Sequence, residues 1–114
     1  MSELQGIARF KFDEGKLEEF KRLSAQCMEI VRTKDTGTLQ YEIYFNDDQS
    51  ECIVLERYKN SEPLIQHAAN VGGLMEAILA TGSVSGELLG EPSADLQAQL
   101  ASGPVRLFTP FQSM

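Results

Sequence analysis

One histidine, one glutamate and two tyrosines are the side chains of this sequence best suited to acid–base chemistry. His67 is the single histidine, and histidine is the side chain whose ordinary titration falls near neutral pH, so His67 is the first candidate for a catalytic base. Glu56 lies in an otherwise apolar run, where it can orient that base or accept a hydrogen bond from a substrate hydroxyl. Tyr41 and Tyr58 offer phenolic donors. Together these residues predict a proton-transfer site, provided that the fold brings them together.

Each of these side chains also has a purely structural interpretation. His67 lies beside the apolar stripe of a predicted helix, where it can be partly buried and bonded to a backbone carbonyl. Glu56 can form an ion pair across its hairpin or with an arginine, either Arg9, Arg57 or Arg106. Candidate apolar walls of a binding site, which core or interface packing would explain equally well, are Phe10, Phe12, Tyr58, Leu64 and Met75.

The sequence lacks the residue patterns of several other kinds of catalytic centre. One histidine and two cysteines, Cys27 and Cys52, fall short of the three or four ligands of a typical metal site. Neither a Gly-rich phosphate loop nor a nucleophile elbow is present. Both cysteines lie within regular helical or strand patterns, where a thiol is usually a small buried hydrophobe, so we expect free thiols in a reducing cytoplasm.

Composition restricts the partners of the chain. Its 114 residues, 42% hydrophobic and 24% charged, are typical of one globular domain. A net charge of −7 repels nucleic acid and anionic lipid surfaces. No apolar run approaches the roughly 20 residues that span a bilayer, and residues 1–15 mix charged with apolar side chains. We therefore expect a cytoplasmic protein that binds neither nucleic acid nor membrane.

The first strand and helix are predicted from two different periodicities. Residues 7–12 alternate between two faces, as in a β-strand. Apolar residues then recur every three or four positions from Leu17 to Val31, which indicates a helix that Asp13 can cap. Glu18 and Arg22 are spaced to pair on its exposed side. One stripe of this helix must be buried.

A hairpin follows a polar stretch that contains Gly37. Residues 39–45 place Leu39, Tyr41, Ile43 and Phe45 on one face, and residues 52–58 resume a strand pattern after a polar loop at 46–50. The second of these strands is apolar on both sides, which predicts a sheet covered on both faces.

A second helix and a fourth strand complete the order β-α-β-β-α-β. Asn60 or Ser61 can cap the helix. Gly72 and Gly73 interrupt its apolar stripe, so we expect a kink or local break there. Residues 84–89 supply the strand, and the order matches a ferredoxin-like antiparallel sheet.

The last part of the chain, residues 92–114, predicts an appendage to this domain of residues 1–91. A short helix begins at Pro92 or Ser93 and stops at Gly103, and residues 105–108 form a fifth strand. That strand needs an edge, either of its own sheet or of a second subunit. We expect this C-terminal appendage at a dimer interface.

A homodimer is predicted from the sheet itself. The two helices cover one face, and the other face still carries Tyr44 and one side of the apolar strand 52–58. Packing two such faces together would remove an apolar patch larger than monomers normally expose. We therefore expect two copies to pack sheet to sheet.

The run from Gly37 to His67 resembles the antibiotic biosynthesis monooxygenase family. Tyr41-Glu42-Ile43-Tyr44 and the loop 46–50 are similar to one arm of that family's hairpin, and Val54-Leu55-Glu56-Arg57-Tyr58 is similar to the other, followed by Ser61 and His67. The family usually has Trp where this chain has Tyr58. As a pattern, the resemblance covers about residues 5–90. The members of that family are dimeric α+β barrels, so the resemblance implies this architecture for the chain.

The resemblance implies an enzyme that oxygenates a small aromatic, quinol or polyketide-like substrate with molecular oxygen and without metal or flavin. Such a substrate ionises to an electron-rich anion that itself reduces oxygen, so the protein has only to bind it in a dry cavity and take its proton. Relatives that degrade haem use an Asn, Trp and His set, and this chain has no Trp. Two alternatives remain on the same scaffold: a non-catalytic small-molecule binding or stress-response module, and an isomerase of a small carbonyl compound.

Overall fold

A computed structural model describes residues 3–101 and 103–114. It confirms the predicted ferredoxin-like α+β class, with the short third helix and the fifth strand of the appendage. The elements are β1 Leu4–Phe12, α1 Leu17–Lys34, β2 Thr38–Phe45, β3 Glu51–Tyr58, α2 Ser61–Leu79, β4 Gly82–Leu89, α3 Ala94–Leu100 and β5 Val105–Phe108. None of the helices in these ranges is both long and apolar enough to cross a membrane.

The sheet has the strand order β2-β3-β1-β4-β5. Its first four strands are antiparallel, as predicted, but β5 runs parallel to β4, so the open sheet is mixed. β5 pairs with the edge of its own sheet, Val105 lying opposite Gly86, which is one of the two arrangements that the sequence left open.

The register of three strands places the candidate residues in one row. Gly6 on β1 and Tyr41 on β2 both lie opposite Glu56 on β3. Directly opposed residues of an antiparallel pair point to the same face, and here it is the face that α1 and α2 cover. The strand pairing itself therefore brings Tyr41 next to Glu56.

Two apolar clusters hold the helices on this face. The larger joins both helices to the sheet, and its buried members are Phe10, Phe20, Leu23, Cys27, Cys52, Val54, Val71 and Ile78. The smaller lies under α3 and consists of Leu4, Leu88 and Leu96. Both cysteines are buried free thiols, as predicted.

The start of α1 differs from the sequence prediction. The helix begins at Leu17 after Lys16, which provides no side-chain cap, so Asp13 is not its cap. Asp13 instead forms a turn, its carbonyl accepting from the Lys16 amide and its own amide donating to Thr81. Gly15, with φ +82°, completes the turn in a conformation that favours glycine.

The predicted pair of Glu18 with Arg22 is also wrong. Arg22 bonds Glu19 with two hydrogen bonds of 3.1 and 2.7 Å, and Glu18 lies 3.7 Å from Lys21. Both pairs have the i,i+3 spacing, which on a helix is as close as i,i+4.

α2 is continuous through Gly72 and Gly73, so the local break, one of the two alternatives predicted there, is wrong; the other, a kink, stays a prediction. Asn60 caps the helix, accepting a 3.1 Å hydrogen bond from the Glu62 amide. Both glycines are exposed, while Val71 and Ile78 anchor the buried side of the helix. Tertiary packing therefore outweighs the low helix propensity of glycine.

The outer face of the sheet, turned away from α1 and α2, is mixed in character. Tyr44 and Ile53 are exposed there, at 53% and 38%. Arg9 pairs across it with Glu87. Leu39, predicted to share the face of Tyr41, is instead the extra residue of a bulge between Thr38 and Gln40 and is 45% exposed.

Candidate active site

A cavity of about 260 Å³ lies between the sheet and the two helices. It is here called the main cavity. His67, Glu56 and Tyr41 all line it, together with the predicted wall residues Phe10 and Met75. Most of the lining is apolar, so polar groups that face this space are poorly screened by water.

His67 is held by a buried carboxylate. Its Nδ1 lies 2.8 Å from Oδ2 of Asp35, and the side chains of the two residues are 7% and 1% exposed. With Asp35 as acceptor, the neutral imidazole carries its proton on Nδ1, which makes Nε2 the basic nitrogen. The rings of Tyr41 and Tyr58 flank the imidazole at 5.4 and 5.5 Å between centroids.

Asp35 is kept ionised by hydrogen bonds. Burial by itself would raise the pKa of this carboxyl, but donors on Asn70, Thr38 and His67 bring its pKa below the usual value. Asn70 Nδ2 donates to Oδ1 at 2.8 Å, and Thr38 Oγ1 donates to Oδ2 at 2.7 Å. A negative charge therefore lies beside the histidine at neutral pH.

Glu56 has the opposite environment. Burial raises the pKa of its carboxyl above the usual value, and the hydrogen bond from Tyr58 opposes this only in part. Tyr58 Oη donates to Oε1 at 2.5 Å. Environments that shift the pKa values of two carboxyl groups in opposite directions are typical of acid–base sites, where one group stays charged and the other is able to hold a proton.

Tyr41 is a neutral donor rather than a base. Burial raises the pKa of its phenol, and the nearby charge of Glu56 raises it further. Its hydroxyl lies 3.3 Å from Sγ of Cys27, whose own pKa burial also raises. Neither group ionises near neutral pH, so Cys27 is not an activated thiol.

The structure brings most of the predicted site residues together, with one exception. Tyr58 and Leu64 line a second cavity that adjoins the first. Phe12 lies outside both linings and packs against Phe20 and Phe45, at 4.6 and 6.2 Å between ring centroids.

Among the described residues, Glu56 forms none of the ion pairs that were predicted as its structural alternatives. Arg9 pairs with Glu87 and Arg57 with Glu3, while Arg106 lies over the Phe108 ring. Glu56 bonds Tyr58 instead.

Sequence reasoning missed Asp35 and Asn70. Asp35 directly follows α1 as its C-terminal cap residue. A carboxylate at this end of a helix is repelled by the negative end of the helix dipole, so the helix itself does not explain why an aspartate is there. Asn70 follows His67 at the i+3 spacing that places two side chains on one face of a helix. These two signals, taken together, could have identified the pair.

Within residues 3–101 and 103–114, no group of three or more His, Cys, Asp and Glu side chains is arranged to hold a metal ion. In the cavity Glu56 is bonded to Tyr58 and His67 to Asp35, and Asp35 behind it is also bonded to Asn70. The arrangement can therefore accept a proton at His67 and hold one at Glu56 within one apolar cavity.

Comparison with known proteins identifies a family that the chain matches. The model of the family described as antibiotic biosynthesis monooxygenase matches residues 6–72. No curated protein matches the chain.

Solved structures share the fold over most of the chain. MupZ from Pseudomonas fluorescens is 25% identical with a TM-score of 0.86, covering 98% of this chain and 88% of its own. Rv0793 from Mycobacterium tuberculosis is 19% identical with a TM-score of 0.70, covering 80% and 96%. SnoaB from Streptomyces nogalater, a cofactor-independent oxygenase solved as a point variant, is 14% identical with a TM-score of 0.67, covering 81% and 95%.

Proposed function

Because this chain belongs to the antibiotic biosynthesis monooxygenase family, we propose that it is a cofactor-independent monooxygenase of a small aromatic, quinol or polyketide-like substrate. The observation that carries the proposal is that His67, which lines an apolar cavity together with Glu56, is bonded to the buried carboxylate of Asp35. A non-catalytic binding module has no need for a histidine fixed by an ionised carboxylate at such a place.

The proposed reaction begins with a proton transfer. Nε2 of His67 takes a proton from a substrate hydroxyl or from an activated carbon, and the charge of Asp35 stabilises the imidazolium that forms. In the main cavity the substrate anion is shielded from water, where it is a stronger electron donor than in solution. This is why no metal or flavin is required in the proposal.

Molecular oxygen then reacts with the anion. At a methylene carbon beside an aromatic ketone, the carbanion and oxygen form a peroxide, which loses water to leave a carbonyl group. One oxygen atom enters the substrate, the other leaves as water, and the carbon supplies all four electrons. Glu56 in its protonated form, or Tyr41, would donate a hydrogen bond to the oxygen on which charge develops.

We also propose that the protein works as a homodimer through the outer face of the sheet. Tyr44 and Ile53 are exposed on this face, and a second copy would cover them. The mixture of apolar and paired charged groups there suits a face that contacts a copy of itself.

Oxygen uptake by the metal-stripped protein tests the function. The substrates are hydroquinones, anthrones and catechols, and the variants are His67→Asn and Asp35→Asn, with the exposed Asp48→Asn as the matched control. His67→Asn keeps an amide N–H near Asp35 but has no titratable nitrogen. Uptake lost in both site variants and kept in the control would support the proposal. If the wild-type protein takes up no oxygen with any of these substrates, the proposal is overturned. That result would favour an isomerase of a small carbonyl compound, which can use the same base and acid.

A further inference from the structure

The second cavity is not used by the chemistry described above. It has a volume of about 120 Å³ and adjoins the main cavity, with which it shares Ala8, Glu56, Val84, Pro104 and Val105 as lining residues. Glu56 therefore lies at the junction. A substrate whose reacting group contacts His67 and Glu56 would have the second cavity open beside it.

The C-terminal appendage builds one wall of this cavity. It is lined by Leu100 at the end of α3, by Pro104 just before β5 and by Val105, the first residue of β5. α3 is fixed there by the buried Leu96 and by a 2.8 Å hydrogen bond from the Ser93 amide to Ser61. These residues lie beyond the segment 6–72 that the family model matches, so one wall of the cavity comes from outside that segment.

The lining has the character of a hydrocarbon site. Leucines from three elements, Leu64, Leu88 and Leu100, face the space, and two glycines, Gly6 and Gly86, leave its floor without side chains. Lysine and arginine are absent from the described lining of both cavities. A carboxylate or phosphate would lie near Glu56 and Glu87, the second of which already holds Arg9, and would find no lysine or arginine in the described lining, which is strongly unfavourable.

We propose that the second cavity is a subsite for an uncharged hydrocarbon substituent of the substrate, and that Leu100 limits the length of chain it admits. The inference rests on the proposed function only in placing the reacting ring in the main cavity. It narrows the substrate class to neutral aromatic compounds that carry an alkyl substituent.

Binding of 4-alkylphenols, from 4-methylphenol to 4-octylphenol, tests the subsite by calorimetry. Monophenols need not be turned over, so the measurement is independent of oxygenase activity. Each methylene buried in the subsite should tighten binding by about fourfold, until the cavity is full and the affinity stops rising. Leu100→Trp should bring that limit to shorter chains, and Leu100→Ala should move it to longer ones.

Leu107→Trp is the matched control, since Leu107 lies on β5, is 39% exposed and lines neither cavity. Thermal melts of all three variants show that they are folded. Affinity that is independent of chain length, no binding across the whole series, or a length limit that neither Leu100 variant moves would each overturn the subsite. Oxygen uptake, measured separately, decides the proposed function.

Discussion

Asp35→Asn separates the role of the buried carboxylate in stability from its proposed role in catalysis. Oδ2 accepts from both His67 and Thr38, and Oδ1 accepts from Asn70. An asparagine has one acceptor oxygen and one NH₂ group in these places. If the amide oxygen takes the place of Oδ2, the new NH₂ group faces the NH₂ group of Asn70; if it takes the place of Oδ1, the NH₂ group faces the N–H of His67. Each arrangement sets a donor against a donor as the side chains now stand, and leaving one donor without an acceptor costs about 1–3 kcal/mol of stability.

The effect on turnover should be larger than the effect on folding. Without the carboxylate the proton of His67 is no longer fixed on Nδ1, and the imidazolium formed in the reaction loses its counter-charge. General-base catalysis contributes about 10²–10⁴-fold, and removing the orienting carboxylate of a histidine base has a comparable effect in hydrolases. We expect oxygen uptake to fall by about 10²-fold or more.

Two assays check this reasoning without depending on each other. His67 is the only histidine, so ¹⁵N NMR shows a single imidazole, whose neutral form should be protonated on Nδ1 in the wild type and mixed in the variant. The double variant Asp35→Asn with Asn70→Asp restores a partner for every donor, so stability should recover while uptake remains low. Unchanged imidazole signals in Asp35→Asn, or unchanged uptake, would refute the role assigned to Asp35.

The pH dependence of stability follows from the same carboxyl. Its pKa in the folded protein is below its usual value of 3.8, so the folded state binds this proton less readily than the unfolded chain. The stabilisation is complete at neutral pH and is lost as the pH falls below 3.8. The asparagine variant cannot titrate there, so its deficit in urea unfolding should be smaller at pH ~3 than at pH ~7.

Three other predictions concern different parts of the molecule. Glu56→Gln should be more stable than the wild type at pH ~7 and equal to it near pH ~3, because the raised pKa of Glu56 makes its ionisation unfavourable for folding; urea unfolding at both values checks this, and a variant destabilised at pH ~7 would contradict it. Gly72→Ala and Gly73→Ala should each add about 1 kcal/mol to the free energy of unfolding, since a Cβ at either position meets no atom within 4 Å; no gain would mean that the helix is interrupted in solution. Ile53→Glu should weaken the proposed dimer by about a hundredfold or more, because an unpaired ion in an interface costs several kcal/mol; light scattering that shows an unchanged dimer would exclude the outer face as the interface.

Much of the fold follows from local patterns in the sequence. Period-2 alternation at 7–12 and the hairpin strands around the loop at 46–50 gave the right strands, because side chains alternate between faces of a sheet whatever surrounds them. The cap at Asn60 was equally local. Gly72 and Gly73 led to the wrong prediction of a local break in α2. Whether a helix continues through two glycines depends on how the rest of the helix packs, which the glycines themselves do not show.

The tertiary structure decided which polar side chains meet. His67, Glu56 and Tyr41 could be singled out by residue type, but their proximity depends on the pairing of β2 with β3 and on the docking of α2 over them. Asp35 became part of the site only through a contact 32 positions away along the chain. Residue chemistry is a local property that the sequence displays directly, whereas a hydrogen bond between distant residues exists only after the chain has folded, and for this reason the base was predictable and its carboxylate partner was not.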